Sequence, residues 1–249
     1  MDTVTQAAAV ATLRALHQSA TARVSDLGPA GPASVAEAHQ LQDALVASLG
    51  EDVAGWKVAG TDPATIMRGA ILASRMKQSG SIISRQDAPL LGIEAEVAFR
   101  IERDVPARTN WTRDTLAPYV TALPAIEIVA SRFADYHSAP LLHRLADLMS
   151  NGFLIVGTPL PDWQVLDLSG IAADLSFDGK SVASGPGGHA SGNPFLPLLA
   201  LANSGSVLLR AGQVVTTGTY TGLLYGKPGM QVTASFTGLG TVQVRVAHA

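Results

Sequence analysis

Apolar and polar positions change their period along this 249-residue chain. Within residues 34–50, Ala38, Leu41, Ala44, Leu45 and Leu49 fall on one side of a helix, and Ser34-Val-Ala-Glu37 ahead of them is a capping-box pattern. Gly50 supplies the stop, and the first fifty residues as a whole read as helical. GWKVAGT (55–61) is a short strand-like piece between glycines, and residues 62–79 leave room for a short helix after Pro63. From about residue 82 the period drops to two. Residues 92–102 and 121–130 are the clearest strands, 139–152 turn helical again, and FLIVG (153–157) reads as a buried strand. Asp178-Gly179 between alternating runs marks a hairpin. FLPLLALANS (195–204) reads as a buried helix and QVTASF-TGLG-TVQVRV as a closing hairpin. The pattern predicts a mostly-β body behind a small helical N-terminal segment.

Composition narrows the class. Hydrophobic residues make up 47% of the chain and charged ones 15%, enough apolar surface to build a large core. A net charge of −3 without a basic run argues against a nucleic-acid surface. The absence of Cys excludes disulfides, a thiolate nucleophile and Cys-based metal sites. The first residues carry Asp2 and no basic stretch of the kind that opens a secretory signal, and no apolar run is long enough to span a bilayer, so a cytoplasmic protein without membrane contact is expected.

Two strands carry unusual acids. In GIEAEVAFRI (92–101), Ile93, Ala95, Val97 and Phe99 share one face, while Glu94, Glu96 and Ala98 share the other. A solvent-facing strand could hold both glutamates. In LPAIEIVA (123–130), however, Glu127 is the only charge in a run apolar on both faces, which predicts burial on both. A buried carboxylate needs a partner. Arg132 is near enough in sequence to serve. A divalent cation shared by Glu94, Glu96 and Glu127 would serve too, and would relieve their mutual repulsion. An all-carboxylate set points to Mg²⁺, with Mn²⁺ next, and leaves positions open for water and substrate.

These segments together resemble the hydratase branch of the fumarylacetoacetate hydrolase superfamily, the 2-keto-4-pentenoate hydratase and 4-oxalocrotonate decarboxylase type. Besides GWKVAGT and the two acid-bearing strands, LADLMSNGFLIVG (145–157), SGPGGHASGNPF (184–195), GQVVTTGTYTG (212–222) and KPGMQVTASFTGLGTVQV (227–244) follow in that family's order. The resemblance implies an α+β fold, a mixed β-roll over residues 81–249 with a small α/β segment, residues 1–80, integrated into one domain. It implies Glu94, Glu96 and Glu127 as metal ligands, Lys57 as the charged residue beside the substrate, and a Thr217-Gly218-Thr219 turn that helps hold the substrate's carboxylate. It also implies a homo-oligomer.

The expected activity is a metal-dependent lyase that adds water to a small 2-hydroxy-2,4-dienoate, giving a 4-hydroxy-2-keto acid. Decarboxylation of a 4-oxalocrotonate-like 2-keto diacid, C–C hydrolysis, tautomerisation, and keto-acid binding without turnover are the alternatives. Two departures bear on the choice. Ser74 and Arg75 stand where the family has an acid before methionine, and Leu148 follows Asp147 where it has Asn. Asp147 could lie near the site or on a helix surface. Among the six histidines, His189 in the Gly-rich loop is the one to watch; that loop has no nucleotide-motif spacing.

Overall fold

Two helices open the chain, α1 (Thr3–His17) and α2 (Val35–Leu49), in a computed structural model that describes residues 1–248. Ser34 caps α2 by accepting from Glu37 N at 3.2 Å. The Glu37 carboxylate turns to Ala33 N at 2.8 Å, so only half of the expected capping box forms. Gly50 ends the helix at φ +69°, a backbone angle that favours glycine.

Strands β1 (Val53–Ala59) and β2 (Met67–Leu72) follow as an antiparallel pair. A strand thus replaces the short helix expected after Pro63. Residues 67–72 find ladder partners in β1, and Gln42 of α2 fixes them further, accepting from Ala70 N at 2.9 Å and donating to Arg68 O at 3.0 Å. Tertiary pairing overrides the local propensity.

The remaining elements are β3 (Met76–Gln78), β4 (Ser81–Ile83), β5 (Gly92–Ile101), α3 (Arg113–Leu116), β6 (Val120–Val129), α4 (Leu141–Ala146), β7 (Asn151–Val156), β8 (Ala172–Phe177), β9 (Lys180–Pro186), α5 (Phe195–Ser204), β10 (Val214–Thr219), β11 (Leu224–Tyr225), β12 (Gln231–Phe236) and β13 (Gly240–Val246). One large sheet runs β2-β1-β10-β5-β6-β7-β3, with β11 also on β5; a second runs β4-β13-β12-β8-β9. The β1–β10, β3–β7 and β4–β13 pairs are parallel and the rest antiparallel, so the fold is the mixed α+β roll that was expected. Residues 1–80 contribute β1, β2 and β3 to the large sheet itself. The Asp178-Gly179 turn joins β8 to β9 with both residues at positive φ, +50° and +78°, as the right-handed strand twist requires.

The large sheet has two unlike faces. Ile93, Ala95, Val97 and Phe99 of β5, with Ile126 and Ile128 of β6, enter the main core shared with the second sheet and α5. On the other face, Ile71, Ala98, Leu123, Ala125, Leu154, Val156 and Val214 form a smaller apolar cluster. That small cluster fills one part of the inner face and the acids occupy another.

The helical pattern of 139–152 is realised only over Leu141–Ala146. Leu148, Met149 and Ser150 follow at φ +50°, +56° and +58°, a run of left-handed residues none of which is glycine. No described helix is long and apolar enough to cross a membrane.

Candidate active site

The register of β5 and β6 sets Glu94 directly opposite Glu127, and Ala125 opposite Glu96. Side chains of paired residues project to the same face. Glu94, Glu96 and Glu127 therefore converge, with one carboxylate oxygen from each lying within 4.8 Å of the other two. On the other side of β5, β10 aligns Thr216 with Ala98, and β1 aligns Lys57 with Thr216. Lys57 thus reaches the same face from two strands away. Its Nζ lies 2.8 Å from Glu127 Oε2 and 3.9 Å from Glu94 Oε2.

Burial makes this cluster costly without a further cation. Glu96 and Glu127 are fully buried. Burial, then repulsion from Glu127 and Glu94, pushes the Glu96 carboxyl up to about 8. Burial also raises Glu94, against the pull of Lys57. Burial alone would lower Lys57, but Glu127, Glu94 and Glu96 outweigh it and hold the ammonium charged, well above the ordinary lysine range. Glu96 Oε1 is buried without a hydrogen-bond partner. An orphan carboxylate oxygen and three acids against one lysine fit a hard divalent cation.

Neighbouring residues hold the acids in place. The Thr216 hydroxyl donates to Glu96 Oε2, and the Gly218 amide faces the same oxygen at 3.3 Å. Asn151 Nδ2 donates to Glu127 Oε1 at 3.2 Å. Thr217 Oγ1 donates to Val97 O at 3.1 Å and Thr219 Oγ1 to Ala95 O at 3.4 Å, so both hydroxyls fasten the 217–219 turn to β5. Gly218 sits at φ +116° with His189 behind it, where a Cβ would come 3.3 Å from His189 Nε2. That nitrogen donates to Thr217 O at 2.9 Å while Nδ1 accepts from Ser191 N, so His189 braces the turn from outside the acid cluster.

Arg132 does not neutralise Glu127. Its Nε donates to Asp147 Oδ1 and Oδ2 at 2.8 and 2.9 Å, its Nη2 to Asp147 O and its Nη1 to Asn151 O. Arg132 lies past the end of β6, where the chain has left the inner face. Asp147 is fully buried, also meets His17 Nε2 at 2.9 Å, and is no helix-surface charge. Burial would raise its carboxyl, but Arg132 and His17 hold it below the ordinary range. The pair anchors the left-handed turn on both sides, and the residue after that turn is Asn151. Gly69 makes room for it: a Cβ there would lie 2.5 Å from Met149 Cβ and 2.7 Å from Leu148 O.

Lys57 lines a cavity of about 100 Å³ with Tyr136, Leu141, Arg144, Met149 and Ser150. It is far smaller than the roughly 300–1,000 Å³ of drug-sized sites, which suits a small acid. Ser74 and Arg75 do not line it. The Arg75 guanidinium lies 4.9 Å over the Phe153 ring, on the main-core face of the sheet. Sequence reading missed Asn151, Thr216, Arg144 and Ser150. Only Asn151, a polar residue beside an apolar strand, carried a visible signal.

A sequence model of the fumarylacetoacetate hydrolase C-terminal family matches residues 59–247. A 2-keto-4-pentenoate hydratase of Paraburkholderia phymatum is 31% identical over 227 residues, 86% of each chain. A 2-keto-4-pentenoate hydratase of Burkholderia vietnamiensis is 30% identical over 234 residues, 89% of each. Among solved structures, the 4-oxalocrotonate decarboxylase from Pseudomonas putida G7, complexed with magnesium and adipate, superposes with TM-score 0.82 over 99% of both chains at 20% identity, a likeness of fold.

Proposed function

The chain belongs to the fumarylacetoacetate hydrolase C-terminal family, and from that premise we propose that it is a divalent-metal-dependent hydro-lyase. It adds water to a small 2-hydroxy-2,4-dienoate, the enol of a 2-keto-alkenoate, and releases a 4-hydroxy-2-keto acid. The convergence of Glu94, Glu96 and Glu127 beside Lys57 carries the reading. The hydratase relatives support water addition, and the magnesium in the decarboxylase structure supports the metal.

Glu94, Glu96 and Glu127 would hold Mg²⁺ or Mn²⁺. When bound, the ion supplies Lewis-acid stabilisation, worth several kcal/mol, of negative charge developing on the substrate's 2-oxygen. The chain's own groups do the rest. Asn151 and Thr216 fix two of the carboxylates in orientation, as hydrogen-bonded neighbours of metal ligands commonly do. Lys57 holds a proton inside the cavity and can deliver it to the far carbon as the dienol becomes a conjugated ketone. The 217–219 turn, its hydroxyls tied to β5, presents a fixed backbone towards the substrate's carboxylate. Small cavity size limits bulk water around the reacting carbons.

Product analysis tests the reading. The protein with Mg²⁺ is mixed with freshly generated 2-hydroxypenta-2,4-dienoate, the dienol absorbance is followed, and the product is weighed by mass spectrometry. A metal-dependent gain of one water is expected. Turnover that survives thorough metal stripping and excess chelator refutes the metal mechanism, and loss of carbon dioxide from 4-oxalocrotonate with no hydration of the dienoate replaces hydratase by decarboxylase.

A further inference from the structure

A second cluster of charge lies outside the acid centre, and its sign is positive. The end of α1, the segment that follows it, the short turn Ala73–Arg75 and residues 130–132 past β6 enclose a cavity of about 200 Å³ that shares no residue with the Lys57 cavity. His17, Arg23, Arg75 and Arg132 line it, against a single acid, Asp87. Arg75 lies over Phe153, whose partner in β6 is Ile128 and not Glu127, so it stands on the face of the large sheet opposite the glutamates.

Two of these cations lack acceptors. The Arg75 side chain is 25% exposed, and its one ion-pair partner among the described residues, Asp87, stands 3.9 Å away, beyond hydrogen-bond reach. The Phe153 ring against the guanidinium face takes up none of its N–H groups. Arg23 is half-buried and donates to the carbonyls of Ala20 and Ala22, which leaves three of the five N–H groups of a guanidinium. Arg132 spends its bonds on Asp147 and Asn151 and gives the cavity charge, not donors. Burial, then the Arg132 charge, lowers Arg23. Burial lowers Arg75 too, with Asp87 pulling the other way and Arg132 adding to the fall. The positive potential is therefore not cancelled by the acids built into the fold.

An anion would relieve this repulsion, and the donors indicate its kind. One guanidinium fork saturates the two oxygens of a carboxylate. Two forks from separate segments call for more oxygens, which a tetrahedral oxyanion has. The volume, below the roughly 300–1,000 Å³ of drug-sized sites, takes a phosphate with a short substituent. We propose that Arg23 and Arg75, with Arg132 behind them, form a phosphate-binding site separate from the acid centre, for free phosphate or a small phosphate monoester.

Calorimetry with inorganic phosphate and with glycerol 2-phosphate, at an ionic strength held constant with chloride, tests it. The wild-type protein should bind at least one of them at a single site with a Kd of about 1 mM or tighter. Tighter binding of the ester assigns the site to phosphate monoesters, and tighter binding of inorganic phosphate assigns it to the free ion. Arg75→Gln and Arg23→Gln should each weaken the tighter probe by about tenfold or more, the scale of a lost charge-assisted bond, and Arg75→Lys should keep part of the affinity. Glu127→Gln should bind phosphate as the wild type does. Should Arg75→Gln fail to fold, Arg23→Gln and Arg75→Lys decide by the same readout. No saturable binding to the wild type, or an affinity unchanged in both glutamine variants, overturns the proposal. So does binding lost in Glu127→Gln, which would place the anion at the metal ligands. None of these results bears on the hydro-lyase reading, which its own product analysis decides.

Discussion

Binding of Mg²⁺ at the three glutamates should release protons, and the affinity should rise steeply with pH. The perturbation is pH itself, from 6 to 8. With the Glu96 carboxyl at about 8, only about 10% is ionised at pH 7 and about 1% at pH 6. A cation requires the carboxylate, so binding must displace that proton. One displaced proton predicts roughly tenfold tighter binding from pH 6 to 7 and a smaller gain from 7 to 8, flattening above. Glu94, also raised, adds to the slope. Stability follows the same linkage with its sign reversed. Glu96 binds a proton more tightly folded than unfolded, so the metal-free protein loses stability as pH climbs from the ordinary value of 4.5 towards 8. The melting-point gain on adding Mg²⁺ should therefore grow over that range. Titration calorimetry in two buffers of different ionisation enthalpy counts the protons directly. An affinity flat from pH 6 to 8, with heats independent of buffer, would refute the electrostatics and the ligand set built on it.

Four substitutions probe the rest. Glu127→Gln should weaken Mg²⁺ binding severely and abolish turnover with the circular-dichroism spectrum unchanged; full activity would sink the metal assignment. Lys57→Ala should keep the cation, read by the same calorimetry, and lose about 10²–10⁴-fold in kcat, the usual range for a positioned proton donor. Asn151→Ala leaves Glu127 Oε1 without its donor and should cost about 10–100-fold in metal affinity; an unchanged Kd would show that the contact is idle. Asp147→Asn strands the buried Arg132 cation, a loss of about 3–5 kcal/mol, or about 6–10 °C in Tm for a chain of this size. A shift below about 2 °C would remove the pair from the account of the turn.

Much of this arrangement was legible in advance because strand periodicity constrains side-chain direction. Glu94 and Glu96 had to share a face, and Glu127 in a doubly apolar run had to be buried; β5 and β6 lie within one residue of the predicted limits. Alternation could not give the register that sets Glu94 opposite Glu127, since that depends on which strands pair. The partner of Glu127 was open between Arg132 and a cation, and no local pattern could bring Lys57 to it across β10. Residues 148–150 were hidden for a different reason. Leu-Met-Ser continues a helical pattern well, and what bends it is a buried ion pair with Arg132 and space left by Gly69, more than ten residues away in each case. Met67–Leu72 was obscured by Pro63, whose breaking effect says where an element stops but not which kind follows.

The place of β10 has a bearing on how the molecule comes into being. Residues 214–219 lie between β1 and β5, so Lys57 stays one strand short of the acids until nearly nine-tenths of the sequence has emerged from the ribosome. Until then β1 and β5 each present an unpaired edge, and β1 must wait for a parallel partner some 160 residues downstream. Assembly of the centre is thus a late event in synthesis, and a product cut short before residue 214 would expose two open strands around acids that have no lysine to face.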